Sequence, residues 1–215
     1  MTESEENLIN LFSTTRFELL RVSEGVEKSP DFFIQSELQD VYIEVKEISE
    51  NKSELELRKK VELTGSSGCY ESSEVGKRFR TKIVEANRQL KKKCTGNQAS
   101  IVIIQDIRPF ISMSIMPQEE IKQAMFGDRV TWISVDNHEI AADLFSKNKT
   151  TTAEKNTTTS AVGLLVRNLE TSELSLDLFH NPYAKNRLIA EFSLENSIRE
   201  YMISDTVNYQ DFLSI

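Results

Sequence analysis

Apolar residues recur along this chain with two different periods, and each period predicts a different element. Val75, Phe79, Ile83, Ala86 and Leu90 step by four, four, three and four, which predicts a helix over Val75–Cys94 with one apolar face. Leu8, Leu11 and Phe12 predict a shorter amphipathic helix over Glu3–Phe12, capped by Thr2 or Ser4. Phe32-Phe33-Ile34 and Val41–Val45 are short aromatic and β-branched runs, the composition of strands, joined by a polar turn from Gln35 to Asp40. Ser100–Gln105 is continuously apolar and predicts a buried central strand. A strand, a helix and a buried strand in succession imply a crossover and a parallel neighbour, while the hairpin is antiparallel, so the sheet is mixed.

Other segments are less decided. Phe17–Val22 reads either as a strand or as the end of a helix that began at Glu3. Ser23–Ser29 reads as a turn into Pro30, and Ser53–Leu63 as a helix of mixed charge ended by Gly65 to Gly68. The loop after it, to Ser73, is either a flap over a groove or a solvated surface loop. Beyond Pro109 we expect a helix over Pro117–Phe126 and a strand over Val130–Val135, with Trp132 packed into the core. A helix follows over His138–Phe145, and the Lys- and Thr-rich stretch Ser146–Ser160 reads as a mobile loop. Ala161–Val166 and Leu174–Phe179 form a hairpin pattern, followed by a strand near Leu188–Phe192 and a final helical segment to Tyr201.

Composition narrows the class. The 215 residues, 39% hydrophobic and 28% charged, suit one large globular domain. No apolar run approaches the roughly 20 residues that span a bilayer. The first residues, MTESEENL, are acidic and lack a signal-peptide pattern, and the two cysteines, Cys69 and Cys94, show no metal-ligand spacing; a cytoplasmic location is the expectation. Asn148 and Asn156 begin glycosylation sequons that a Thr-rich stretch produces by chance. With seven glycines and no Gly-rich phosphate loop, nucleoside triphosphate binding is not expected.

The net charge of −8 argues against a polyanion partner on average, but charge is local. The helix over Val75–Cys94 carries eight Lys and Arg with Glu85 as its only acid. Part of that cluster complements the helix C-terminus; the excess suits phosphate-backbone contact. Arg78, Lys82, Arg88, Gln89 and Lys92 are the candidate nucleic-acid contacts.

Candidate chemistry lies in the first hairpin. Tyr42, Glu44 and Lys46 share one face of their strand, because side chains alternate. Asp31, at the mouth of the first strand after Pro30, can approach Glu44 across the hairpin. Two converging carboxylates repel unless a cation lies between them, and hard oxygen ligands suit Mg2+ or Mn2+. Pro30-Asp31 followed by Glu44-Val45-Lys46 resembles the PD-(D/E)XK nuclease superfamily, which includes many restriction endonucleases and Holliday-junction resolvases. The resemblance spans roughly Glu5 to Asp106, about half the chain. It is a matter of context, since Glu120-Ile121-Lys122 has the same spacing inside a helical segment.

What the resemblance implies is an α/β fold: a restriction-endonuclease-like mixed β-sheet flanked by helices over residues 1–110, with a C-terminal α+β portion, 111–215, packed on the same sheet. It implies a Mg2+- or Mn2+-dependent nuclease acting on DNA, in phage defence, restriction or repair, working as a homodimer or within a larger complex. Asp31, Glu44 and Lys46 would be catalytic; Asp31, Glu44 and the Val45 carbonyl would hold the metal, joined by Glu6, or by Glu18 if the first helix runs on. The alternatives are a non-catalytic module that keeps the fold and binds nucleic acid or protein, and a structural protein in which the motif is coincidence. His180, with no evident partner in sequence, reads as a turn residue.

Overall fold

A computed structural model describes residues 1–23, 29–65, 74–109, 113, 116–189, 192–203, 205–209 and 213–214. The turn expected within 23–29 and the loop expected over 66–73 fall largely outside these residues.

The elements in chain order are α1 (Glu3–Phe12), β1 (Leu20–Arg21), β2 (Phe32–Ile34), β3 (Val41–Ile48), α2 (Lys52–Thr64), α3 (Lys77–Lys93), β4 (Ala99–Asp106), α4 (Pro117–Phe126), β5 (Arg129–Ile133), β6 (Ile140–Phe145), β7 (Ala161–Arg167), β8 (Leu174–His180), β9 (Ile198–Met202) and β10 (Leu213–Ser214). Eight strands form one sheet in the order β1-β2-β3-β4-β7-β8-β9-β10, and β5 and β6 pair separately. Around its centre, β3, β4 and β7 run parallel, while β1, β2 and β3 meander antiparallel. The sheet is therefore mixed, with helices on both faces.

Strand β4 explains its own continuous apolar run. It sits between β3 and β7, and its side chains alternate into two cores. Ile101 and Ile103 meet the α1 face, with Leu8, Leu11, Phe12 and Val45. Val102 and Ile104 meet the opposite face, with Phe79, Ile83 and Leu90 of α3 and Met125 and Phe126 of α4. Burial on both faces requires apolar residues at every position.

Helix α1 begins with the capping box of Thr2 and Glu5, in which each side chain binds the other's backbone N–H. It ends at Phe12, and a two-residue strand, β1, follows; the reading in which the helix ran on past Phe17 is thereby excluded. Helix α3 starts at Gly76, at φ 71°; a Cβ there would lie 2.6 Å from the Glu120 carbonyl, so glycine permits the close crossing of α3 on α4.

Five expectations beyond Pro109 are corrected. The segment expected as a helix over His138–Phe145 is strand β6, because its β-branched and aromatic residues pair with β5. Trp132 is not in the core: it is 61% exposed on the β5–β6 hairpin. The Thr-rich stretch is packed rather than loose, since Thr150 and Thr151 hydroxyls bind the Ala124 and Met125 carbonyls at the end of α4, at 2.6 and 2.8 Å. Thr159 and Ser160 are also buried. The segment ending at Tyr201 is strand β9, paired in parallel with β8; of the strand expected near Leu188–Phe192, residues 190 and 191 lie outside the described ones, Leu188 and Ile189 are in no strand, and Phe192 opens a 3-10 turn to Leu194.

Candidate metal and hydrolytic site

Strand pairing brings the motif residues together. In the β2–β3 ladder Phe32 lies opposite Ile43, so continuing the register by one residue places Asp31 beside Glu44. Strand β2 has ended at that point, and the Asp31 carboxylate takes over as acceptor: Val45 N–H donates to Asp31 Oδ2 at 2.7 Å. The N–H and C=O of one strand residue point to the same edge, so the Val45 carbonyl also faces the Asp31 side.

On the other strand face, towards α3, Glu44 and Lys46 stand next to each other. Glu44 is fully buried, and the Lys46 ammonium donates to its Oε1 and also to Gln89 Oε1, at 3.0 Å in the latter case. Gln89 projects from the flank of α3, whose apolar stripe packs on the sheet. Glu44 Oε2 is buried and has no hydrogen-bond partner among the described residues. An orphaned buried carboxylate oxygen is costly and calls for a ligand.

The electrostatics follow from that geometry. Burial pushes the Glu44 carboxyl up to about 7; the Lys46 hydrogen bond offsets part of this, and the Asp31 charge adds to it. Burial likewise raises the Asp31 carboxyl, against the Val45 N–H, and the Glu5 charge raises it further. Lys46 and Arg21 act in the opposite sense. The corner is thus short of positive charge.

The donor set fits a hard divalent cation: the Asp31 carboxylate, the unpartnered Glu44 Oε2 and the Val45 carbonyl are all oxygens. Among the described residues no group of three or more His, Cys, Asp or Glu is placed to hold a metal, so such an ion would keep several waters, as Mg2+ commonly does.

The buried acid of the first helix is Glu5, not the Glu6 that was expected to face the site. Glu6 is exposed, and Glu18 lies outside any helix. Glu5 is buried, acts with its charge on Asp31 and accepts from Arg21 Nη2 at 3.1 Å. The signal was available: Glu5 closes the capping box with Thr2 and shares a face with Leu8 and Phe12.

The expected nucleic-acid contacts separate. Gln89 holds Lys46. Arg78 is engaged inside the protein, donating to Glu54 Oε2 at 2.7 Å, and Lys82 lies 3.9 Å from Glu85. Arg80 pairs with Asp128, and Lys77 with Glu74, at 3.1 Å each. Arg88 and Lys92 are exposed on the outer side of α3.

Two further clusters escaped the sequence reading. Glu54, buried at the start of α2, accepts from Arg78 and from Arg108, whose Nη2 also donates to Asp106 at 2.6 Å. His180 has a carboxylate after all: its Nε2 lies 3.1 Å from Glu200 Oε2. Neither pair is close in sequence, and only the packing of β4, α2 and α3, or of β8 beside β9, joins them.

Comparison with family models, with curated proteins and with solved structures gives no match. Among the described residues no helix is long and apolar enough to cross a membrane.

Proposed function

We propose that this chain is a divalent-metal-dependent nuclease with a restriction-endonuclease-like core, hydrolysing phosphodiester bonds in DNA. The observation that carries the reading is the buried, unpartnered Glu44 oxygen beside Asp31 and Lys46. Asp31, Glu44 and the Val45 carbonyl would hold Mg2+ or Mn2+, which when bound polarises a phosphoryl oxygen and lowers the pKa of a water.

The chain's own residues supply the rest. Lys46 is positioned by two acceptors, Glu44 Oε1 and Gln89 Oε1, and its ammonium donates to the attacking water or to a phosphate oxygen as charge develops there. Water oxygen forms the new bond to phosphorus and releases its proton to solvent, one ester P–O bond breaks, and the leaving oxygen takes up a proton from solvent. Asp31 is fixed by the Val45 N–H and so keeps its orientation through the reaction. The exposed Arg88 and Lys92 on α3 supply phosphate-backbone contacts.

A second reading has an observation of its own. Lys46 already neutralises part of Glu44, as in a purely structural pair, which suits a module that keeps the fold without catalysis. The two are separated by incubating purified protein with plasmid and single-stranded DNA in Mg2+ or Mn2+. The nuclease reading expects nicking or degradation, abolished in a folded Lys46→Ala variant. Wild type and Lys46→Ala equally inert on every nucleic acid would refute it.

A further inference from the structure

The β5–β6 hairpin stands apart from the main sheet and is apolar where it is most exposed. Trp132, Ile133, Val135 and Ile140 are 61%, 62%, 88% and 64% exposed. Trp132 pairs with Ala142 and Val130 with Leu144 on one face, while Ile133 and Ile140 pair on the other. An isolated two-stranded hairpin with a bare apolar tip is marginal in water unless something covers it.

The two edges of this hairpin differ. The outer side of β6 is occupied: Phe145 N–H donates to the Val207 carbonyl at 2.9 Å, and Tyr209 N–H to the Asp143 carbonyl at 2.8 Å. Strand β5 has β6 on one side, and no strand on the other among the described residues. Natural edge strands are usually guarded by lysine, proline or an inward charge, and Val130–Ile133 has none of these. The bulge between Trp132 and Ile133 leaves the run from Arg129 to Trp132 regular. Arg129, the one cation of the strand, is held back by Asp143 at 2.6 Å and lies over the Tyr209 ring.

Charge selects the occupant. Asp136 and Glu139 flank the tip, so a phosphate backbone or an anionic lipid surface is repelled there. A second copy fits, because an antiparallel strand is complementary to itself across a two-fold axis. Centred on Thr131, self-pairing sets Arg129 against Ile133 and Val130 against Trp132 with no like charges opposed; the Arg129 N–H, which donates to Gln123 Oε1 at 3.3 Å, would exchange that partner. Centred on Trp132 instead, it would set Asp128 against Asp136.

We propose that β5 is a homodimerisation edge, where two copies pair antiparallel about Thr131 to form a four-stranded sheet and cover each Trp132 with the other copy's Val130. Aromatic and β-branched residues directly opposite one another stabilise such pairs. The contact is smaller than a standard interface, so dissociation falls on the order of tens of micromolar. This inference does not rest on the nuclease reading.

Sedimentation velocity of the full chain over about 5 to 500 µM tests it. The mass should move from 24.6 kDa towards twice that value. Trp132→Lys, at an exposed position, should weaken association at least about tenfold and leave the circular dichroism spectrum unchanged. In a chain carrying Cys69→Ser and Cys94→Ser, a Thr131→Cys substitution should yield a covalent dimer on mild oxidation, whereas Ser134→Cys should not, because opposed Cα atoms on paired strands lie within disulfide range. A mass of one chain at every concentration overturns the proposal. So does association that Trp132→Lys leaves intact.

Discussion

Glu44 and Glu54 are both buried carboxylates within reach of α3, and their surroundings are opposite. Glu54 shares its oxygens between two arginines and the Asn51 N–H; burial alone would raise its carboxyl, but these partners outweigh it and hold it below the usual range. Glu44 has one ammonium and the Gln89 side chain for partners, one orphaned oxygen and an acid for a neighbour, and it is pushed up to about 7. A buried charge with both oxygens bonded is a fastening, here joining α2, α3 and the segment after β4. A buried charge left short is unfavourable for the fold and is retained for what it can bind.

The sharpest way to break this contrast is at Lys46. Lys46→Ala should lower the rate of DNA cleavage by about a thousandfold, or roughly 4 kcal/mol, with a smaller loss of stability because the Glu44 left behind can take up a proton. Equal losses of rate and of stability would reduce Glu44–Lys46 to a second fastening. Glu54→Ala gives the complementary result. It removes the acceptor that Arg78 and the almost fully buried Arg108 share, leaving Arg108 to Asp106 alone, and should cost about 2–3 kcal/mol in urea denaturation. Removing Glu54 at no cost would show that its network is decorative.

Proton linkage sharpens the comparison further. The folded-state Glu44 carboxyl lies above its ordinary 4.5, so the neutral form is favoured on folding. That contribution is complete below pH 4.5 and is lost as pH rises through about 7. Relative to Glu44→Gln, the metal-free wild type should therefore lose stability between pH 5 and 8 by roughly 2–3 kcal/mol. Denaturation curves of the two proteins that stay parallel across this range would contradict it. For Glu54 the sign is reversed: its lowered carboxyl contributes stability above pH 4.5 that is lost on acidification. The smallest effect is expected on α3, where Arg88→Glu with Lys92→Glu should weaken DNA binding a few-fold to tenfold and flatten its salt dependence. Unchanged binding would move the nucleic-acid face elsewhere.

Much of the first half was legible because its patterns are local. The α3 stripe, the continuous run of β4 and the hairpin alternation of β3 each follow from one period, and the capping box marks the start of α1. The approach of Asp31 to Glu44 was also readable, since two strands and their turn fix a register. The second half was harder. Helix and strand compete in Ile140–Phe145, and only pairing with β5 decides between them. Thr150 and Thr159 look like low complexity until the end of α4 and Asn87 accept or share their hydroxyls. Arg78 reads as a surface cation because Glu54, its partner, is 24 residues away. Trp132 was assigned to the core on residue type alone, and its exposure departs from that rule.

A crystal grown or soaked in Mn2+ would test the central claim most directly. The account predicts an anomalous peak between Asp31 and Glu44, within coordination distance of Glu44 Oε2, with Lys46 still held by Gln89. Density in which Glu44 Oε2 is met only by Lys46, with the manganese elsewhere or absent, would contradict it.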